Sequence, residues 1–142
     1  MTQISLSKWM KKVEAQVDAV RDEFLRNVAD SIVNLSPVKT GAYVSSHSIT
    51  TSSGAGGRQA SKGKPKLANG QAAKEEARGK LYGQISALPE GSTTVFVANR
   101  SPHASVVEYG GYNKVPPHLV YSTTRDKANE LLSAAIAKVR TK

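Results

Sequence analysis

Three histidines, His47, His103 and His118, are the side chains here that could ligate a metal or move a proton near neutrality. None stands four residues from another, the separation that places two ligands on one helix face. His103 and Glu108 are five apart, so on a shared strand they would face opposite sides. Each histidine therefore reads as an ordinary surface or loop residue, and no metal site is expected. Serines are plentiful, but no G-x-S-x-G elbow marks a nucleophile. Gly54-Ala55-Gly56-Gly57 lies in a low-complexity run with no buried strand before it, and neither a Walker loop nor a dinucleotide fingerprint occurs. The adjacent carboxylates Glu75-Glu76 fall in a charged, helix-like stretch and read as solvated. The expectation is a chain with no catalytic, cofactor-binding or metal-binding residue, and not an enzyme. A hydrolase would require a cluster converging on His103 or His118.

Charge offers a second kind of chemistry. The formal net charge is +9, from 20 basic and 11 acidic residues. Residues 51–80 carry seven basic and two acidic side chains, net +5, whereas residues 1–50 carry net +1 and 81–142 net +3. Arg58, Lys62, Lys64 and Lys66 could meet phosphates in a salt-dependent, sequence-independent way, or an acidic protein surface. No aromatic residue lies between Tyr43 and Tyr82, so the stacking platform of a single-strand binder is missing there. The bland alternative is a solvated loop, since residues 52–70 are dominated by Gly, Ser and Lys and cannot bury enough apolar area to order themselves.

The elements that must position these residues can be read from pattern. Leu6, Met10, Val13, Val17, Val20, Phe24, Val28 and Ile32 recur at steps of three and four, predicting one amphipathic helix over residues 6–35 that Pro37 stops. At roughly 45 Å it would kink, or project and offer its stripe to neighbouring subunits. Ala42 to Thr51 reads as a strand with Tyr43, His47 and Ile49 on one face. Gln71 to Leu81 forms a short helix, weakened by Gly79 and Gly83. Val95 to Gly111 is the expected centre of the domain: a strand at Val95–Val97, a turn at Asn99–Pro102, and a return strand from Ala104 to Tyr109 closed by Gly110-Gly111. Ser122 or Thr123 caps a last helix whose apolar stripe is Ala128, Leu131, Leu132, Ala135, Ile136 and Val139. Strands grouped between helices and joined by short connections imply an α+β fold. A long N-terminal and a C-terminal helix pack on a small antiparallel sheet, in one domain over 1–142, with 52–80 as an exposed basic insertion.

With 142 residues, there is enough chain for one core. The absence of cysteine excludes a disulfide framework, a thiolate metal site and a cysteine nucleophile. The start, MTQISLSKWMKK, lacks the apolar run of a secretory signal, and no stretch approaches the ~18 apolar residues of a membrane span. A soluble product made inside the cell is expected.

Three segments then fall into a pattern. Ser36-Pro37-Val38-Lys39-Thr40-Gly41 follows the long helix; Pro102-His103-Ala104 leads to Val107-Glu108-Tyr109-Gly110; Pro116-Pro117-His118-Leu119 precedes the last helix. In this order they resemble the tail-completion or neck (head–tail joining, minor tail component) proteins of tailed bacteriophages. Those show an S-P-x-x-T-G element, a Y-A-x-x-V-E-Y-G element and a proline-containing approach to the last helix. His103 stands where a tyrosine is usual, and the basic insertion is peculiar to this sequence. The resemblance implies a structural virion protein, made in the host cytoplasm and placed at the head–tail junction. It would form a ring, by family symmetry a hexamer, that completes the tail or joins it to the head connector. Implied partners are further copies of itself, the connector or adaptor, and tail tube or tail terminator proteins, with non-specific contact to DNA in the lumen and no membrane. Pro37, Thr40, Gly41, Glu108, Tyr109 and Gly110 would be its structural motif residues. The rival reading is a small basic nucleic-acid-binding protein acting through the 52–80 loop.

Overall fold

Apolar spacing at helical period carries the chain from Leu6 to Leu35 as one thirty-residue helix, α1. The computed structural model describes residues 6–37, 43–51, 70–92, 94–101, 104–110 and 117–140, with side chains undescribed at 6–12, 70, 105 and 106. The element order is α1, a 3-10 turn at Val44–Ser46, β1 (His47–Thr50), α2 (Gly70–Ser86), β2 (Phe96–Asn99), α3 (Ala104–Tyr109), α4 (Val120–Asp126) and α5 (Ala128–Arg140). This is an α+β arrangement of helices around a small antiparallel sheet, as the pattern of elements implied.

The buried row of α1 is Leu25, Ala29, Ile32 and Val33, while Val17 is exposed. The expected stripe through Val20, Phe24 and Val28 is only half-buried. The offset has a simple cause. α1 packs against α2 as well as against α4 and α5, so its most buried line is the one between those neighbours. Between residues 13 and 22 no side chain of α1 is buried, whereas buried positions recur from Glu23 to Val33.

Helix α2 runs farther than its composition suggested. Ala77, Leu81 and Ile85, each four apart, face the core. Gly79 and Gly83 look onto open space, where lost packing costs nothing. The single last helix expected from the sequence is in fact two. α4 begins at Val120, so Ser122 and Thr123 lie inside it, and Lys127 separates it from α5. The α5 stripe is covered unevenly: Ala135 is fully buried, Ala128, Leu131 and Val139 are half-buried, and Leu132 and Ile136 are each 38% exposed.

The sheet has two strands among the described residues, paired antiparallel with His47 opposite Asn99 and Ile49 opposite Val97. Tyr43 and Val44 precede β1 instead of belonging to it. The return strand expected from Ala104 to Tyr109 is instead helix α3. Its flanks explain the difference. Asn99 Oδ1 accepts from the Ser101 amide at 2.8 Å, Ala104 N donates to Ser101 O at 3.1 Å, and Gly110 ends the helix at φ 70°. A turn-forming Asn-x-Ser before the element and a left-handed glycine after it are helix boundaries. Ala104, Val107 and Glu108 then point inward at helical spacing. No helix among the described residues is long and apolar enough to cross a membrane.

Candidate functional site

The end of α1, the two strands and α4 meet around His47, which is 1% exposed. Its ring lies between Ser36 Oγ (2.8 Å from Nε2) and Tyr121 Oη (2.6 Å from Nδ1), with Asn99 Nδ2 3.2 Å from Nδ1. The proton positions follow from the partners. Ser36 Oγ donates to Ile32 O, so it accepts from Nε2–H. Nδ1 must then be the acceptor, and both groups facing it can donate: the Tyr121 hydroxyl and the Asn99 amide. Asn99 Nδ2 gives its other proton to Tyr43 O at 2.8 Å. His47 is thus a neutral Nε2–H tautomer. Burial, with the Lys80 charge adding to it, pushes its pKa down to about 3.

A serine beside a histidine suggests nucleophile and base, but here the protons run the other way. Ser36 gives its hydrogen to the backbone and receives one from His47, and both residues are shut from solvent. The pair is a structural clamp between α1 and β1. Sequence reasoning treated His47 as a surface or loop residue. The signal that could have found it was its place on one face with Ile49, which is 3% exposed.

Glu108 is the second organising residue. Its Oε2 accepts from Tyr121 N at 2.9 Å, and Oε1 accepts from Ser122 N and Ser122 Oγ, both at 2.8 Å. A carboxylate from α3 therefore caps α4, where Leu119, the residue at the N-cap, has no side-chain cap of its own. Burial opposes the charge of Glu108, but these hydrogen bonds outweigh it and hold the carboxyl below the usual range. The backbones join as well: His118 N donates to Val107 O at 2.8 Å and Leu119 N to Glu108 O at 3.2 Å.

A cleft of about 450 Å³ opens beside this cap, with Tyr43, Val97, Ala98, Asn99, Glu108 and Arg125 in its wall. The Tyr43 hydroxyl is buried and has no hydrogen-bond partner among the described residues. Burial and the Glu108 charge push its pKa up, so the hydroxyl stays protonated.

Of the residues singled out from sequence, Glu108, Tyr109 and Gly110 close α3, and Pro37 follows α1. Tyr109 is 71% exposed. Thr40, Gly41, His103, Arg58, Lys62, Lys64 and Lys66 lie outside the described residues. His118 is exposed. Among the described residues no three histidine or carboxylate side chains gather as metal ligands. Comparison with known proteins finds no matching family model, no matching curated protein and no matching solved structure.

Proposed function

We propose that the chain is a structural virion component of a tailed bacteriophage, acting at the head–tail junction as a ring that completes the tail or joins it to the connector. The reading starts from the resemblance of the Ser36–Gly41, Val107–Gly110 and Pro116–Leu119 segments to neck proteins. One observation carries it further. The second and third segments are knitted together: His118 N and Leu119 N donate to the Val107 and Glu108 carbonyls, and the Glu108 carboxylate takes the Tyr121 and Ser122 amides just beyond. This locked joint holds Tyr109 outward, 71% exposed, an aromatic anchor of the kind subunit interfaces use. A ring also needs two different patches per copy. The outward half of α5, with Leu132 and Ile136, supplies a second one. The basic insertion would face a neighbour or the DNA in the lumen.

The test is the mass of the purified protein in solution across concentration, with and without duplex DNA. The expected result is a discrete closed oligomer, hexameric by the resemblance and indifferent to DNA. Tyr109→Ala should reduce it to monomer while leaving the monomer's thermal midpoint within a few degrees, because exposed positions contribute little to stability. The net +5 of residues 51–80 favours a second reading, a nucleic-acid binder. A monomer that binds DNA at low salt and releases it at high salt, with binding lost on neutralising Arg58, Lys62, Lys64 and Lys66, would establish that reading instead.

A further inference from the structure

The two edges of the small sheet differ. Arg100 N donates to Ser46 O at 2.9 Å, which fixes the parity of the ladder. Counting back in steps of two, Ala98 and Phe96 exchange backbone hydrogen bonds with β1, and Val97 and Asn99 point their N–H and C=O groups away from it. The same parity turns Ile49 outward on β1. There Gln84 Oε1 of α2 accepts the Ile49 amide at 2.8 Å, and α2 packs over a strand whose His47, Ser48 and Ile49 are buried, so that edge is covered. No hydrogen bond among the described residues fills the outer side of Val97 and Asn99. Val97, Ala98 and Asn99 all line the one cleft. Side chains of consecutive strand residues alternate faces, so three in a row can border one cavity only where it runs along the strand's edge.

We infer that this open edge of β2 is a docking site for an extended, acidic segment of a partner protein, which adds to the sheet as a third strand. Val97 and Asn99 supply two backbone donors and two backbone acceptors at strand spacing. Tyr43 is only 7% exposed, and its hydroxyl stands protonated and unpartnered among the described residues in the cleft wall, a donor waiting for a carbonyl. The cleft has one carboxylate, Glu108, and both its oxygens are already engaged at α4. Arg125, exposed on the same wall, makes no ion pair among the described residues. Glu108 being engaged, Arg125 is the charge this wall offers to a partner, so the complementary segment is acidic. The cleft volume of about 450 Å³ falls within the ~300–1,000 Å³ of ligand-binding clefts. Tyr109, the anchor of the ring reading, lines the same cleft, but the inference rests on the β2 edge, Tyr43 and Arg125 and does not depend on that reading.

The experiment is amide hydrogen exchange and chemical-shift titration of the full, isotope-labelled chain with an end-capped octapeptide alternating valine and glutamate. Saturation should slow exchange roughly tenfold or more at Val97 and Asn99, while Ala98, already bonded to β1, changes little. Val97→Pro should abolish binding, since it removes an outward donor and no ladder bond. Tyr43→Phe keeps the core intact and should weaken the peptide about five- to tenfold, the worth of one net hydrogen bond. Arg125→Gln should lower affinity for the glutamate peptide and not for its glutamine analogue. The inference is overturned if Val97 and Asn99 stay unprotected at millimolar peptide, or if a valine–lysine peptide binds as tightly. Protection that rises with protein concentration alone would assign the edge to a second copy, and also overturns it.

Discussion

A buried histidine whose proton can be placed from its neighbours makes a definite statement about acid. Protonating Nδ1 of His47 would set a new donor against the Asn99 amide and force the Tyr121 hydroxyl to reverse. The folded pKa, about 3, lies below the ordinary value of 6.5, so between them the unfolded chain binds the extra proton. The stabilising contribution is complete above pH 6.5 and is lost as pH falls towards 3, at about 1.4 kcal/mol per pH unit well inside that window. Thermal or urea unfolding at pH 7, 6 and 5 should show this decline, and His47→Gln, less stable throughout, should show a flatter profile. Equal slopes for the two proteins would exclude His47 as the titrating group. Glu108 and Glu23 enter lower. Lys138 at 2.7 Å holds Glu23 below the carboxylate range, and α4 holds Glu108 there, so both lose their contributions as pH drops below about 4.5. None of this network was legible beforehand. Ser36, Asn99 and Tyr121 are separated in sequence by 63 and 22 positions, and only the fold brings them together. Glu108 was legible as an acceptor of hydrogen bonds from a turn or neighbour; that the recipient is a helix start could not be read locally.

At the scale of elements, the long periodic stretches were the readable ones. α1 spans 6–35 as its spacing requires, because eight apolar positions at one period leave little choice. Short elements went astray where two signals competed. The Val-Val pair of Ala104–Tyr109 suggests a strand, but the helix boundaries on either side won. A helix of six residues has no period long enough to announce itself. The glycines of α2 weaken it less than their type suggests for a related reason: the cost of a helical glycine is a propensity, small beside the burial of Leu81 and Ile85. That cost can be recovered. A methyl group added at Gly79 or Gly83 would meet nothing within 4 Å, so Gly79→Ala should stabilise the protein by about 0.5–1 kcal/mol in urea unfolding. Gly91, at φ 77°, should respond in the opposite direction. Leu119 is a further conflict between local and global demands. It is a non-glycine residue at φ 47°, held there beside the joint between α3 and α4.

For the whole molecule, the order of elements gave the class correctly and the balance of layers less well. Among the described residues the sheet has only two strands and the helices do most of the covering. Two paired strands are barely stable alone, and here α2 and the His47 clamp support them. α1 is tied to its neighbours by polar contacts spaced along its length: Glu23 to Lys138, Asn27 to Leu131 O, Asp30 to Tyr82 and Ser31 to Thr124. Earlier, Arg21 reaches the carbonyls of Pro89 and Ser92 and Asp18 accepts from Gly91 N, hooking the helix to the turn before β2. Such stitching fixes how α1 lies against the core between Asp18 and Ser31.

The amide of Gln84 has a consequence for solubility at high local concentration. A sheet can propagate from molecule to molecule only if each copy both receives a strand and offers one, and cross-β growth needs both flanks free. On the β1 side Gln84 takes the Ile49 amide and α2 packs over a strand whose His47, Ser48 and Ile49 are buried, which leaves this protein with a single receptive flank, so stacking stops after one addition. Gln84→Ala removes the hydrogen bond and leaves the helix in place, so light scattering and thioflavin fluorescence at high concentration should stay flat for the variant as for the parent. The helix and its side-chain carbonyl together act as a chain-growth inhibitor built into the fold.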